Sequence, residues 1–409
     1  SGSGSSSGAS SGGDEGGTTM PGLPAHMLVG WGANADDTWA QKSGVKFDVQ
    51  WMYLSGQAGN DWYNDFGYGA ADGSFFGDLL TTIDGYGFIP GVHLYDIGYG
   101  HDQGDAGLLT EVQTASFMTS YFAEFKVMMQ RAKTFGKPVI ILLEGDSFGM
   151  LSLLTKNDPT TRAAVASTGM PELAGLPDTI AGIGLWYLAI RKSVGATNVF
   201  MGPDTPYYAA SGDIMNWPPS DADPLASHVS YLWSFFGPLG VGANQTGATF
   251  DFSASCPRAA DEDYYTAKSS PSYDGRDAWS SSDSAPVDSP SINRYVSFLD
   301  LYHQTSGRPW LLHQVPIGNS QHSDTAYSAS TARSGYRDML VEYLFQYESP
   351  ASPALRSQHL GAFAKAGVVG MLFGFSDDGD APTNDLWKDG QPFFSTHVDA
   401  LVKAGGYPL

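Results

Sequence analysis

Eight short apolar runs are the feature that most constrains the fold of this 409-residue chain. Each run ends in polar or aromatic residues, and longer stretches with helical spacing separate the runs. The eight runs are HMLVGWGAN (26–34), KFDVQWMYLSG (46–56), GFIPGVHLYDIG (87–98), KPVIILLEGD (137–146), TNVFMGPDT (197–205), GATFDFSAS (247–255), RPWLLHQVPIGN (308–319) and AGVVGMLFGFSDD (366–378).

The intervening stretches have the pattern of amphipathic helices. The clearest is LLTEVQTASFMTSYFAEFKVMMQRAKTFG, in which Phe117, Tyr121, Phe125 and Met128 recur at steps of three and four. Gly136 ends this helix as a C-cap, and Pro138 opens the next run. Alternation of helices with continuously apolar strands is typical of a parallel sheet that is covered on both faces.

Eight such units predict an α/β fold, a single (β/α)8 barrel of the TIM type over residues 23–409. An open doubly wound sheet is the alternative, but no glycine-rich phosphate loop follows the first run. The residues are 42% hydrophobic and 13% aromatic, which is enough to build so large a core.

The first 22 residues, SGSGSSSGASSGGDEGGTTMPG, are of low complexity. Gly/Ser tracts cannot bury apolar surface, so we expect residues 1–22 to be a flexible linker. We interpret them as a natural tether left after removal of a signal or lipoprotein peptide, which predicts a secreted or cell-surface protein; an expression scar is the alternative.

Charge and cysteine content exclude several partners. The net charge is −22, from 21 Lys and Arg against 43 Asp and Glu, and such a surface repels nucleic acid and anionic lipid. We expect no membrane contact beyond a lipoprotein anchor upstream. Cys256 is the one cysteine, so no internal disulfide and no cysteine metal cluster can form. We also expect no cofactor, no bound metal and a monomer.

In this fold the chemistry lies at the carboxyl ends of the strands. Aromatic rings there stack on sugar rings, and amides and carboxylates bind sugar hydroxyls, whereas a phosphorylated ligand would require Arg or Lys. A single Trp more often belongs to the hydrophobic core than to a sugar-binding surface. The gathering of aromatic, amide and carboxylate residues at the strand ends nevertheless favours a neutral carbohydrate ligand. The candidate substrate-binding residues are Trp31, Trp51, Tyr53, His93, Tyr95, Asp204, His313, Gln314 and Asn319.

Two carboxylates, Glu144 and Asp146, close the fourth run. Residues two apart on a strand point the same way, so we expect both side chains to project into the barrel mouth. Burial and mutual repulsion would raise one pKa, and Glu144, deeper along the strand, is our candidate general acid. The alternative is a structural role as a helix cap or ion-pair partner. Asp261 and Asp263, beyond the sixth run, are candidates for the second catalytic carboxylate or for a solvated acidic loop.

With these residues the chain resembles secreted (β/α)8 glycoside hydrolases. VIILLEGDSFGML is similar to the Glu-Pro-Asp strand end of the family 6 cellulases, which places the family's catalytic-centre Asp at Asp146 and its Glu at Glu144, with Gly145 in place of the proline. The family's Asp-Arg-Asp segment has no clear counterpart in LYDIGYGHDQGD.

A larger part of the chain, from about Met27 onward, resembles uncharacterised secreted bacterial barrel proteins that are joined to carbohydrate-binding modules. The shared segments are YFAEFKVMMQRAKTFGKPVIILLEGD, the Asp261 and Asp263 pair, and the strand from Gln314 to Asn319. The resemblance implies the fold and a polysaccharide context. Clan A glycosidases place a catalytic Glu after the seventh strand, where this chain has Gln314.

Three functions therefore stay open at the level of sequence. The first is a glycoside hydrolase acting on a polysaccharide, with a β-glucan such as cellulose as the expected substrate. The second is a barrel that binds glycan without cleaving it, because the seventh strand lacks the carboxylate. The third is a hydrolase of another bond, such as a metal-assisted deacetylase.

Overall fold

Eight parallel strands form one barrel, which confirms the predicted (β/α)8 fold and excludes the open sheet. The computed structural model describes residues 19–34, 44–56, 61–210, 215, 224–257, 279–317, 339–345, 358–375 and 393–409. Each predicted run contains one strand. The strands are β1 Leu28–Gly32, β2 Val49–Ser55, β3 Ile89–Tyr95, β4 Val139–Leu143, β5 Val199–Pro203, β6 Ser253–Ser255, β7 Trp310–Val315 and β8 Val368–Phe373.

The strands pair in the order β5-β4-β3-β2-β1-β8-β7-β6. Every ladder is parallel, and β1 pairs with both β2 and β8. The ring is completed between β5 and β6, where the Thr205 amide donates to the Ala254 carbonyl (2.8 Å) and the Asp251 amide donates to the Met201 carbonyl (2.9 Å). The carboxyl ends of all eight strands consequently surround one mouth.

Helices surround the barrel and alternate with its strands. The described α-helices are α1 Ser74–Gly85, α2 Ala106–Gln113, α3 Ala115–Phe135, α4 Ser147–Leu154, α5 Ile180–Val194, α6 Leu225–Phe236, α7 Ile292–Ser306, α8 Met339–Phe345, α9 Gln358–Lys365 and α10 Phe393–Lys403. Short 3₁₀ segments add Trp62–Gly67, Ala166–Thr168, Pro171–Leu173 and Tyr207–Ala209, and a π-helical turn adds Gly237–Val241.

Alternating side chains of each strand face the barrel interior and the helices. The interior is a packed apolar core that includes Val49, Ile140, Leu142 and Leu311, and Met20 joins it from the segment predicted as linker. The larger, outer core lies between the strands and the helices. A residue of a strand therefore reaches the mouth only when it lies on the inward phase of the pleat.

Trp31 lies on the outward phase of β1, so the prediction that it lines the cleft is wrong. Its ring packs on Phe47, with ring centroids 5.9 Å apart, and it is fully buried in the outer core. The inward positions of β1 are Leu28 and two glycines. A Cβ at Gly30 would lie 2.4 Å from Leu372 Cδ2, and one at Gly32 would lie 2.3 Å from Phe375 Cδ2. The small residues thus leave interior space for larger side chains of the β8 segment.

The closure between β5 and β6 can be tested at Gly202. A Cβ there would lie 2.1 Å from the Phe252 carbonyl oxygen, which belongs to the backbone and cannot rotate away. We expect Gly202→Ala to lower the free energy of unfolding by about 1–3 kcal/mol, the usual cost of overpacking, in urea unfolding followed by tryptophan fluorescence.

Gly85 in α1 is the matched control, because a Cβ there would meet no atom within 4 Å outside its own helix and its chain neighbours. Gly85→Ala should be neutral or stabilise by up to about 1 kcal/mol. Equal free energies of unfolding for the two variants would contradict the close contact between β5 and β6.

Candidate active site

Five rings gather at the carboxyl ends of β2, β3, β7 and β8. His93 stacks on Tyr53, with ring centroids 4.6 Å apart and an interplanar angle of 23°. His313 meets His93 edge-on at 4.6 Å. Trp51 lies below them, 6.4 Å from each imidazole and 5.2 Å from Phe375. Trp51 is fully buried and therefore forms the floor of the mouth. Tyr53 is half-buried and lies closer to solvent.

Asp204 enters the same mouth from the end of β5. Its Oδ1 lies 3.1 Å from His313 Nε2, and the two side chains are 3% and 1% exposed. When Nε2 carries the proton it donates to the carboxylate, which fixes the orientation of the imidazole ring. The pair is therefore a rigid, buried polar group at the centre of the barrel end.

His93 brings two further ring nitrogens to this mouth. Both Nδ1 and Nε2 are buried without a hydrogen-bond partner among the described residues, and the same is true of His313 Nδ1. Burial, reinforced by His313, holds the pKa of His93 well below its usual value, so its imidazole is neutral. A buried polar atom without a partner costs about 1–3 kcal/mol, so these nitrogens are suited to bind hydroxyl groups of a ligand.

Asp146 lies at the rim, where α4 begins. Its side chain is exposed, and its Oδ1 accepts a hydrogen bond from the Tyr208 hydroxyl at 2.7 Å. Burial, the Asp146 carboxylate and, more weakly, Asp204 raise the pKa of Tyr208, so the phenol stays protonated. Tyr208 thus lies within the electrostatic influence of both carboxylates.

Glu144 does not reach this mouth. The prediction that the side chains of Glu144 and Asp146 both project into it is therefore wrong. The strand ends at Leu143, and Glu144 adopts a left-handed backbone, with φ of 55°. The turn reverses the direction that the pleat would have given the side chain. Glu144 is 0% exposed, whereas Asp146 is exposed.

The Glu144 carboxylate instead ties the end of β3 to the surrounding helices. It accepts hydrogen bonds from the Ile97 amide (2.9 Å), the Ser147 hydroxyl (3.0 Å) and the Tyr121 hydroxyl (2.5 Å), with the Asp96 amide at 3.4 Å. Tyr121 belongs to α3 and to the outer core. The carboxylate is accordingly occupied by four donors on the helix side of the barrel.

Burial raises the pKa of Glu144 to about 7, although its four hydrogen bonds oppose the shift. The neighbouring Asp96, which accepts a hydrogen bond from Trp62 Nε1 at 3.1 Å, also has a raised pKa, first because of burial and then because of Glu144. The raised pKa that we predicted for Glu144 is thus present, but it belongs to a buried structural pair of carboxyl groups.

The remaining candidates are less central or lie outside the described residues. Tyr95 is half-buried beside the mouth and donates its hydroxyl to the Gly98 carbonyl at 3.0 Å. Gln314 donates to the Phe375 carbonyl at 2.8 Å, so its amide supports the backbone after β8. The candidates outside the described residues are Asp261, Asp263 and Asn319.

Two residues of the mouth were absent from the predicted site. Phe375 follows β8 with a positive φ of 60°, and Tyr208 follows β5 in a 3₁₀ turn. Both come after strand ends and are aromatic, which is the signal that identified the other ring residues. Local sequence did not show that Tyr208 donates to Asp146.

Within the described ranges, no set of three or more His, Cys, Asp or Glu side chains is arranged to hold a metal ion. Over the same ranges, no helix is both long enough and apolar enough to cross a bilayer.

Comparisons with known proteins show similarity to solved barrel structures. No family model and no curated protein sequence matches the chain. The GH26 β-mannanase from Bacteroides ovatus is 11% identical with a TM-score of 0.43, over 94% of this chain and 89% of that one. The GH5-4 broad-specificity endoglucanase from Clostridium acetobutylicum is 10% identical with a TM-score of 0.46, over 91% and 97%.

The GH26 domain of an endo-β-mannanase/endo-β-glucanase from Prevotella bryantii is 10% identical with a TM-score of 0.42, over 89% of this chain and 88% of that one. Identities and TM-scores this low assign neither a family nor an activity to the chain.

The buried carboxyl of Glu144 predicts a pH dependence of stability. Its pKa is about 7 in the folded state, against 4.5 ordinarily. The folded protein therefore retains this proton at pH values where the unfolded chain has lost it. The contribution of this carboxyl group to the free energy of unfolding is complete below pH 4.5 and falls as the pH rises to 7. At about 1.4 kcal/mol per pKa unit, the loss amounts to about 3 kcal/mol.

Glu144→Gln removes this titration, so its free energy of unfolding relative to wild type should rise between pH 5 and pH 7 and level off by pH 8 in urea unfolding. Asp399→Asn, at an exposed ion pair with Lys403, serves as the control and should run parallel to wild type. A constant difference between Glu144→Gln and wild type across this range would contradict the assigned pKa.

Proposed function

We propose that this protein is a glycoside hydrolase that cleaves a neutral polysaccharide at the carboxyl end of its barrel. The observation that carries the proposal is the convergence of the Asp204–His313 pair with stacked rings and a rim carboxylate, Asp146. Glycosidic bond hydrolysis requires two carboxyl groups, one that donates a proton and one that is ionised. Asp146 and Asp204 are the two that the described mouth supplies.

The two carboxyl groups have different surroundings, and this suits different roles. Asp204 is buried and hydrogen-bonded to His313, which fixes its position, so we assign it the role of the second carboxylate, which attacks, activates water or stabilises positive charge on the sugar. Asp146 is exposed at the rim, where it can reach a glycosidic oxygen, and Tyr208 orients it. Glu144, the acid that we first predicted, holds the β3 and β4 ends in place beneath them.

The mouth is suited to an uncharged sugar. The residues that line it are aromatic, imidazole and carboxylate groups, with Trp51, Tyr53 and Phe375 as the apolar surfaces. The neutral ring of His93 accepts hydrogen bonds from hydroxyls without attracting an anion. We propose a β-glucan such as cellulose as the substrate, with a secreted or cell-surface monomer as the working form. Asp261 and Asp263 remain proposed as further acidic residues of the site.

Reducing-sugar release from soluble polysaccharides tests the proposal. We expect wild type to release reducing ends from at least one of hydroxyethylcellulose, mixed-linkage β-glucan and galactomannan. Asp146→Asn and Asp204→Asn should each lower kcat by about 10²–10⁴, the usual contribution of a positioned acid or base.

Asp399→Asn is the control, because Asp399 forms a surface ion pair with Lys403; this substitution should leave kcat within about twofold. Circular dichroism checks that each variant is folded. Wild-type turnover that survives both mouth substitutions would refute the assigned pair, and glycan binding without any turnover would indicate a binding barrel instead.

A further inference from the structure

A pocket of about 610 Å³ lies at the amino end of the barrel, opposite the candidate active site. Its walls are the end of α5, the residues that lead into β5, β6 and β7, and residues 19–21. A strand rises about 3.3 Å per residue, so the start of β5 at Val199 lies roughly 16 Å from Asp204. The pocket is therefore separate from the mouth.

Positive charge is concentrated in the lining of this pocket. Arg191, Lys192 and Arg308 line it, whereas Asp251 is the one carboxylate among the described residues that do so. The chain as a whole has a net charge of −22, with 21 Lys and Arg. A cationic pocket in so acidic a protein attracts small anions that the rest of the surface repels.

Arg191 and Asp251 form a rigid ion pair in the pocket wall. Arg191 Nη1 donates to the Asp251 carboxylate and to the Val199 carbonyl (3.2 Å), and Nη2 donates to the Thr249 carbonyl (3.2 Å). Asp251 Oδ2 also accepts the Met201 amide at 2.9 Å. These bonds join α5 to β5 and to the segment before β6, so the wall is formed in advance, and the charges of the pair compensate each other.

Arg308 is the lining cation that lacks a protein partner. It lies just before β7, and its guanidinium forms no ion pair within the described residues. Its Nε is buried without a hydrogen-bond partner. A buried donor without an acceptor is costly, and a guanidinium binds carboxylates and phosphates through two parallel N–H bonds. Arg308 is therefore suited to bind an acid group inside the pocket.

Two lysines add charge that no carboxylate of the described chain compensates. Lys192 is exposed, and its Nζ donates to the Thr246 carbonyl at 3.3 Å. Lys133 lies beside Gly195 of the lining, and its Nζ donates to the Val194 carbonyl at 2.7 Å. The carboxyl end of a helix carries partial negative charge, and Lys133 offsets that of α5. The pocket therefore attracts anions although α5 ends beside it.

Part of the lining is apolar. Met20 is 6% exposed in the inner core, and Phe200 of β5 packs against the same core. A Cβ at Gly22 would lie 3.1 Å from Phe200 Cζ, so the chain after Met20 closely covers this ring. Leu188 and Pro309 complete the apolar surface. An apolar surface with a few fixed polar groups is typical of small-molecule sites.

We propose that this pocket binds a small organic anion. The carboxylate or phosphate group of the ligand pairs with Arg308 and Lys192, and its apolar part contacts Phe200. The volume lies within the range of about 300–1,000 Å³ that is usual for small-molecule sites. An uncharged sugar would not need these cations, so the ligand differs in chemical class from the polysaccharide proposed for the mouth.

Saturation-transfer difference NMR on the full chain tests the proposal without requiring turnover. The probes are benzoate, phenyl phosphate and benzyl alcohol, which share a phenyl ring and differ in the acid group. We expect both acids to bind and the uncharged alcohol to bind at least about tenfold more weakly, because it cannot form charge-assisted hydrogen bonds with a guanidinium. The acid with the lower Kd identifies the preferred group.

Arg308→Gln should weaken the Kd of the preferred acid by at least about tenfold, because Gln lacks the charge. Lys192→Gln, at an exposed position, should weaken it by about two- to fivefold. Arg162→Gln is the matched control, because it removes the same charge from an exposed arginine outside the pocket lining. Its Kd should stay within about twofold of wild type, since distant exposed charges are screened.

Circular dichroism checks that each variant is folded. Failure of both acids to bind would overturn the inference, as would benzyl alcohol that binds as tightly as the acids. An unchanged Kd in folded Arg308→Gln would also overturn it, and Lys192→Gln decides in the same way if Arg308→Gln does not fold. Reducing-sugar release is measured on the same preparations, so a failure of the anion site and a failure of the proposed hydrolase are distinguishable.

Discussion

The pleat of a closed parallel barrel decides which side chains reach the mouth, and the rest of the site depends on it. His93, Asp204 and His313 share the inward phase of their strands, so three separate strands bring them together. Closure between β5 and β6 is what brings Asp204 to His313, because these residues lie on opposite sides of that seam. A shift of one residue in either strand would turn its polar side chain toward the helices.

Backbone conformation at the strand ends modifies this pattern. Glu144 adopts a left-handed conformation directly after β4, and its carboxylate enters the outer core instead of the mouth. Four donors offset the cost of burying it, and its neighbour Asp96 uses its own side chain to hold the loop after β2. The same buried pair thus joins the loop after β2, the loop after β3 and the start of α4.

The fold followed from sequence because it depends on regular features. Each apolar run contains one strand, and helix stops such as Gly136 lie where the helices end. His93, Asp204 and His313 were identified by their position after apolar strand residues. Trp31 and Glu144 were misplaced for physical reasons. In β1 both faces are buried, so hydrophobicity does not reveal phase, although the alternating glycines Gly30 and Gly32 were a usable sign. A left-handed Glu144 is enforced by tertiary hydrogen bonds that a local pattern does not contain.

If a neutral glycan is cleaved between Asp146 and Asp204, a bound oligosaccharide must place its scissile bond between these two residues. A crystal structure of the Asp204→Asn variant with an oligosaccharide of the best polymeric substrate would locate the scissile bond. We expect a sugar ring against Tyr53, a sugar hydroxyl hydrogen-bonded to His93, and the glycosidic oxygen within about 3 Å of the Asp146 carboxylate. An oligosaccharide bound at the amino end of the barrel, or one whose glycosidic bonds all lie far from both residues, would contradict it.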